Sequence, residues 1–186
     1  IVLITGILNS YYSSVGNKIN FPIGVINNLA LSFVALKNNN YGLVIFNLLF
    51  FMPINIKGYF EWNKNSNKDV VKNRGLGLKK GVITIILSII TGLLVAYLLQ
   101  LIPGERLTYL DSFTNVISFI AGILLMLRYN ESWILYLVNN VLDLTLWIIN
   151  FSSGGFDSLM VLLMSIMYLV INIYALFKWR DKNEKL

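Results

Sequence analysis

The sequence predicts an all-α integral membrane protein with seven transmembrane helices, arranged as two parallel three-helix bundles joined by a linker helix (3+1+3). Three observations predict it. Apolar runs close to the ~20 residues that cross a bilayer core recur along the chain, which has 186 residues, 56% of them hydrophobic and 13% charged. An ordinary soluble domain carries about 25% charged residues. Lys and Arg segregate to one side when the runs are threaded back and forth, and the two ends of the chain repeat each other's polar and aromatic landmarks.

The spans are read near 1–15, 19–36, 41–60, 80–102, 112–129, 132–150 and 156–178, within a single domain covering 1–186. The first is short for a full crossing, so residues upstream of Ile1 are expected. "KNNNY" and "NFSSGGFD" are polar turns between antiparallel helices. "LIPGERLTYLD" separates the fourth span from the fifth, and "EWNKNSNKDVVKNRGLGLKK" is the one long polar loop.

Placing that loop on the cytoplasmic side puts Lys18, Lys57, Lys64, Lys68, Lys72, Arg74, Lys79, Lys80, Arg128, Lys178, Arg180, Lys182 and Lys185 inside. Lys37 and Arg106 fall outside, so 13 of the 15 basic residues share a side. This is the positive-inside pattern; it supports the span count and sets the C-terminus inside. The net charge of +6 is thereby explained as orientation in a lipid bilayer, and no nucleic-acid partner is expected.

The repeat aligns Asn139 and Asn140 with Asn27 and Asn28, which brings Trp133 onto Phe21. It also aligns "NIYALFKW" with "NIKGYFEW", placing Asn172 on Asn55 and Trp179 on Trp62. Each half is three helices (1–62 and 112–179), and the span at 80–102 has no counterpart. An odd linker helix inverts the insertion of the second half, so that both triplets run parallel. Parallel repeats with a site at the midplane between them are a transporter plan.

Polar residues inside "FPIGVINNLALSFVAL" and "SWILYLVNNVLDLTLWIIN" mark the candidate site. Trp133, Tyr136, Asn140, Asp143 and Trp147 are spaced 3, 4, 3 and 4, which puts them on one helix face. Asn47, Phe51 and Asn55 form a second stripe; Ser165, Tyr168 and Asn172 form a third. Amides offer donors and acceptors together, and aromatic faces attract ring cations, so the stripes suit a small molecule that is flat on one side and hydroxyl-rich on the other. The bland alternative is that membrane Asn residues only bond neighbouring helices, at ~0.6 kcal/mol each. Asp143 resists that reading, because a carboxylate near mid-helix costs about 2.5–3.5 kcal/mol and so is protonated, hydrated in a cavity or facing a cationic ligand, of which the cavity is favoured. Trp62 and Trp179, near span ends, are read as interfacial belt residues.

With no Cys and no His in the chain, thiolate, disulfide and His-based chemistry are excluded. No carboxylate pair or phosphate loop appears either, so no enzyme, metal or cofactor is expected.

"NIKGYFEW", "LDSFTNVISFIAGILLMLRYNESWILYLVNNV" and "ALFKWR" resemble the nicotinamide riboside transporter family, PnuC, over essentially the whole length. They are similar to that family's N-I-x-G-x3-W ending and its W-D-S…N-W-L-x-W-x3-N stretch. The resemblance implies a fold similar to the SWEET sugar transporters and often a trimer. It implies facilitated uptake of a vitamin-like nucleoside across the bacterial inner membrane, with a cytosolic kinase trapping the product. By the same resemblance Trp133 is the first Trp of W-x-x-W, Asn140 the following Asn, and Asn27 the Asn of the second core helix. Asn47 stands where Gln is usual, Tyr136 replaces the second Trp, and Asp143 stands where a small Ser is usual. These departures leave thiamine or another vitamin as an alternative cargo, and a non-transporting scaffold as an alternative of another class.

Overall fold

The computed structural model describes residues 1–37, 44, 46–67, 70–101, 108–152 and 159–183. Seven helices run through them: α1 (Val2–Val15), α2 (Asn20–Lys37), α3 (a π-helical turn, Phe46–Phe51, continuing as Met52–Lys64), α4 (Leu78–Leu99), α5 (Thr108–Met126), α6 (Ser132–Ser152) and α7 (Leu159–Asn183). The third span reaches four residues beyond its expected end, because Trp62 is drawn into the core and carries the helix with it. The turns centred on 38–43 and 153–158, with Arg106 and Lys68, lie outside the described residues. α4, α6 and α7 are long and apolar enough by themselves to cross a membrane.

Six helices close a ring. α1 packs on α2, α2 on α3, α3 on α5, α5 on α6, α6 on α7, and α7 back on α1. Replacing α1, α2 and α3 by α5, α6 and α7 maps this set of contacts onto itself, as an approximate two-fold relation would. α4 stands outside the ring, its main packing partner being α5. Its exposed Ile85, Ile86, Ile89, Ile90, Leu93 and Leu94 leave it apolar nearly all round, which suits a helix facing lipid.

The relation extends to the backbone. Gly16 ends α1 in the left-handed region (φ 77°), and Arg128, 112 positions later, does the same after α5 (φ 69°). Gly16 N–H donates to Ser13 O and Arg128 N–H to Leu125 O; Asn17 N–H donates to Tyr12 O and Tyr129 N–H to Leu124 O. Such a left-handed closure suits glycine and costs an L residue roughly 1–2 kcal/mol. Arg128 has compensation that Gly16 does not need: a guanidinium contact to Glu61 at 3.2 Å and a hydrogen bond to Lys72 O.

The described part of the long polar loop is tied to the helices. Ser66–Asn67 (β1) and Val70–Val71 (β2) pair antiparallel, Ser66 opposite Val71. The strand then straps the two halves together. Val71 N–H donates to Gly16 O, while Arg74 N–H donates to Arg128 O, the equivalent carbonyl of the other half. Asn73 Nδ2 donates to Trp179 O, and Leu76 N–H donates to the Glu131 carboxylate at 2.9 Å.

Beneath the strap lies the apolar core: Phe21, Trp62, Trp133 and Trp179, with Val71, Leu125 and Ala175. Phe21 packs edge-on against Trp62 (4.8 Å) and Trp133 against Trp179 (5.6 Å), the same pairing in each half, and Trp62 meets Trp179 across the middle at 5.7 Å. Trp62 Nε1 donates to Leu125 O on α5, and Trp179 Nε1 donates to Ser14 O on α1. This corrects the belt assignment of these two tryptophans. At 0% and 1% exposure neither can reach a headgroup, and each has a backbone carbonyl of the opposite half for its indole N–H, as a buried Trp requires.

Candidate substrate site

Two adjacent cavities sit inside the ring, away from the strap beyond the aromatic core. The larger, about 240 Å³, is bounded mainly by α1, α6 and α7: Gly6, Asn9, Ser10 and Ser13 face Trp133, Tyr136, Asn139, Asn140, Asp143, Tyr168 and Asn172, with Asn27, Ser118 and Leu125 closing it. The smaller, about 120 Å³, is bounded mainly by α2 and α3, through Asn20, Phe21, Gly24, Asn27, Asn28, Phe51, Ile54 and Asn55. Asn9, Ser13, Asn27, Leu125 and Tyr136 line both and form the neck between them.

The cavities are themselves two-fold relatives. Phe21, Gly24, Asn27 and Asn28 of the smaller stand 112 positions before Trp133, Tyr136, Asn139 and Asn140 of the larger. Phe51 and Asn55 stand 117 before Tyr168 and Asn172. The largest change of size in this set is Gly24 to Tyr136, and it is the Tyr136 ring that projects to the neck.

Some amides are already committed to the protein. Asn172 Nδ2 donates to Asn140 Oδ1 at 2.8 Å, and Asn140 Nδ2 to Ser165 O at 3.2 Å, tying α6 to α7. Asn27 Nδ2 donates to Val2 O and Thr5 Oγ1, tying α2 to α1. Bonding between helices thus accounts for part of the polar content of these spans. It does not account for all of it: Asn139 Oδ1, Trp133 Nε1, Asn28 Nδ2 and Asn20 Oδ1 are buried without a hydrogen-bond partner, each on a residue lining one of the two cavities. A buried polar atom left unsatisfied costs about 1–3 kcal/mol, so these positions are fitted to an occupant or to water.

Of the residues singled out from the sequence, Asn27, Trp133, Tyr136, Asn140, Asp143, Tyr168 and Asn172 come together around the larger cavity. Asn28, Phe51 and Asn55 gather at the smaller. Asn47 is buried, and Trp147 half-buried, outside both linings. Trp147 shares the face of Trp133 but lies ~21 Å along α6 from it at 1.5 Å per residue, beyond Asp143, where the cavity ends. Asn9, Ser10 and Ser13 on α1 and Ser118 on α5 were not anticipated. Asn9 and Ser13 recur at four-residue spacing on one face of α1, and that stripe was the available signal.

Nearly the whole chain matches a known pattern. A family model described as "Nicotinamide mononucleotide transporter" matches residues 1–181. The chain belongs to this family, the PnuC transporters. It is 30% identical to the nicotinamide riboside transporter PnuC of Neisseria mucosa, over 96% of this chain and 70% of that protein. It is 31% identical to the protein of the same name from Haemophilus influenzae, over 95% and 76%. A crystal structure of the vitamin B3 transporter PnuC superposes with a TM-score of 0.83 at 28% identity, covering 99% of this chain and 80% of that one. Within the family frame, two of the departures noted above fall at the cavities: Tyr136 at the neck and Asp143 in the wall of the larger.

Proposed function

We propose that the chain is a facilitative transporter of nicotinamide riboside, binding it between the two halves of the helix ring. The observation that carries this reading is the lining itself. Trp133, Tyr136, Tyr168 and Asp143 offer stacking surface and one negative charge to a cationic pyridinium ring, and the amides offer paired donors and acceptors to ribose hydroxyls. Among the described residues no Lys or Arg lines either cavity. A phosphate would therefore meet Asp143 with no cation to bind it, and that favours the riboside over the mononucleotide. The names of the relatives support the same cargo.

The remaining parts of this reading follow. Seven spans form parallel triplets, 1–62 and 112–179, with 80–102 as linker; the self-mapping ring of contacts supports this. The strap side faces the cytoplasm with the C-terminus, by the distribution of Lys and Arg, in the bacterial inner membrane. The site residues are Asn27, Asn28, Asn55, Phe51, Trp133, Tyr136, Asn140, Asp143, Tyr168 and Asn172, with Asn47 and Trp147 supporting from outside the cavities. The chain performs no chemistry on its cargo; phosphorylation in the cytosol traps it. The apolar α4 leaves a face for assembly with further copies, a trimer by resemblance to the family.

A calorimetric screen of detergent-purified protein tests the cargo. Nicotinamide riboside should bind most tightly, nicotinamide mononucleotide at least tenfold more weakly, and thiamine and riboflavin without saturation. Tightest binding of thiamine would move the cargo, and binding of none would favour a scaffold.

A further inference from the structure

We propose that the smaller cavity is a distinct subsite that receives the hydroxylated sugar end of the cargo, with Gly24 setting its depth, while the larger cavity holds the aromatic, cationic end. This rests on the reading of the cargo as a pyridinium riboside. The two compartments differ in charge. Each is lined by five amides and three aromatic rings, with Tyr136 common to both, but the larger also contains the Asp143 carboxylate. The smaller, among the described residues, has no charged side chain in its lining, and five amides (Asn9, Asn20, Asn27, Asn28 and Asn55) together with the Ser13 hydroxyl. Uncharged groups that both donate and accept match sugar hydroxyls, which also do both. Its volume, about 120 Å³, has room for a pentose and not for a whole nucleoside.

Two lining residues have a polar atom waiting. Asn28 Nδ2 is a donor and Asn20 Oδ1 an acceptor; neither has a partner, and the residues are 8% and 1% exposed. The two stand eight residues apart along α2, ~12 Å at 1.5 Å per residue, so separate hydroxyls of one sugar, each both donor and acceptor, would satisfy them. The Asn20 amide is otherwise held, its Nδ2 on Ser13 Oγ at 2.7 Å and its backbone carbonyl taken by Asn9 Nδ2 at 2.7 Å, so Oδ1 is a fixed acceptor. Gly24 keeps the compartment open. A Cβ there would lie 2.7 Å from both Asn55 Oδ1 and Asn9 Nδ2, and would push those two amide ends into the space. At the equivalent position of the other half stands Tyr136, so the halves differ sharply in bulk here, and the cargo is oriented by it.

The test compares two ligands on the intact purified protein by calorimetry: nicotinamide riboside, and 1-methylnicotinamide, which keeps the cationic ring and replaces the sugar by a methyl group. Gly24→Ala should weaken the riboside at least tenfold and change 1-methylnicotinamide less than twofold. Asn28→Ala, which only removes atoms, should show the same selectivity and decides the matter if Gly24→Ala does not fold. Wild type that binds the riboside but not the methyl compound also supports the proposal, since the sugar then carries the affinity. Unchanged riboside affinity in a folded variant overturns it, as do equal losses for both ligands. Wild type that binds neither overturns the assignment of the cargo instead, and this proposal with it.

Discussion

Asp143 is the side chain whose chemistry is most exposed to test. It lines the larger cavity beside Tyr168 and Asn140, where its carboxylate can face a cationic ring. Asp143→Asn keeps the shape and removes the charge. Hydrogen bonds to charged groups are worth about 1.5–3 kcal/mol against about 1 for neutral ones, so affinity for the pyridinium cargo should fall about tenfold, while a neutral reduced-ring analogue loses much less. Calorimetry with the two ligands checks this, and equal losses would make Asp143 a structural residue. The position was legible in sequence because an acid in an apolar run is costly enough to need a reason. The individual Asn residues were not separable in that way. Asn140, Asn172 and Asn27 hold helices together as well as lining the cavity, and only geometry distinguishes Asn28, with its free Nδ2, from Asn27, whose Nδ2 is spent on Val2 O and Thr5 Oγ1.

Among the elements, the strap at 70–76 and the two buried indoles carry the joint between halves. Glu131 receives the Leu76 amide through a carboxylate. Glu131→Gln makes that acceptor neutral, a loss of about 1 kcal/mol, and hydrogen exchange should speed up roughly fivefold at Leu76 while Val71, bonded to Gly16 O, keeps its rate. Uniform acceleration along the strap would mean that it opens as one unit and that Glu131 is not a local clasp. Trp62→Phe and Trp179→Phe each keep a ring in the core and lose one indole bond to the opposite half. Each should lower thermal stability in detergent by an amount corresponding to about 1 kcal/mol, and by similar amounts because each loses one buried indole bond to a carbonyl of the opposite half, the two acceptors being one residue apart in the repeat register. A large difference between them would mean that one half dominates the joint. The span ends read well from hydropathy, since α1, α2, α5 and α6 begin or end within a few residues of expectation. The strap and the tryptophans did not. A polar run ending in "VVKNRGLG" looks like solvated loop, and Trp at a span end looks like an anchor, until the chain's return path places Val71 and both indoles in one core. That is long-range information, with Asn73 meeting Trp179 across 106 positions, and no local pattern holds it.

For the whole molecule, the repeat was legible from two short matches, Asn27-Asn28 on Asn139-Asn140 and N-I-x5-W at both ends. Its reach was not. The equivalence of Gly16 and Arg128 hides behind unlike side chains, because it is a matter of backbone φ, and the pairing of the cavities hides behind Gly24 and Tyr136. Likewise α1 was read as a truncated span, so its Asn9, Ser10 and Ser13 went unassigned although they face the cavity. The proposed carrier, a ring of two like halves around an inner site, is driven by its cargo's own gradient. Uptake of radiolabelled nicotinamide riboside by liposomes containing the purified protein measures this directly. Saturable entry that stops at equal concentration on both sides, runs equally well outward, and is unchanged by a protonophore is the predicted result. Flux no greater than in empty liposomes, or accumulation that collapses when the proton gradient is removed, would contradict it.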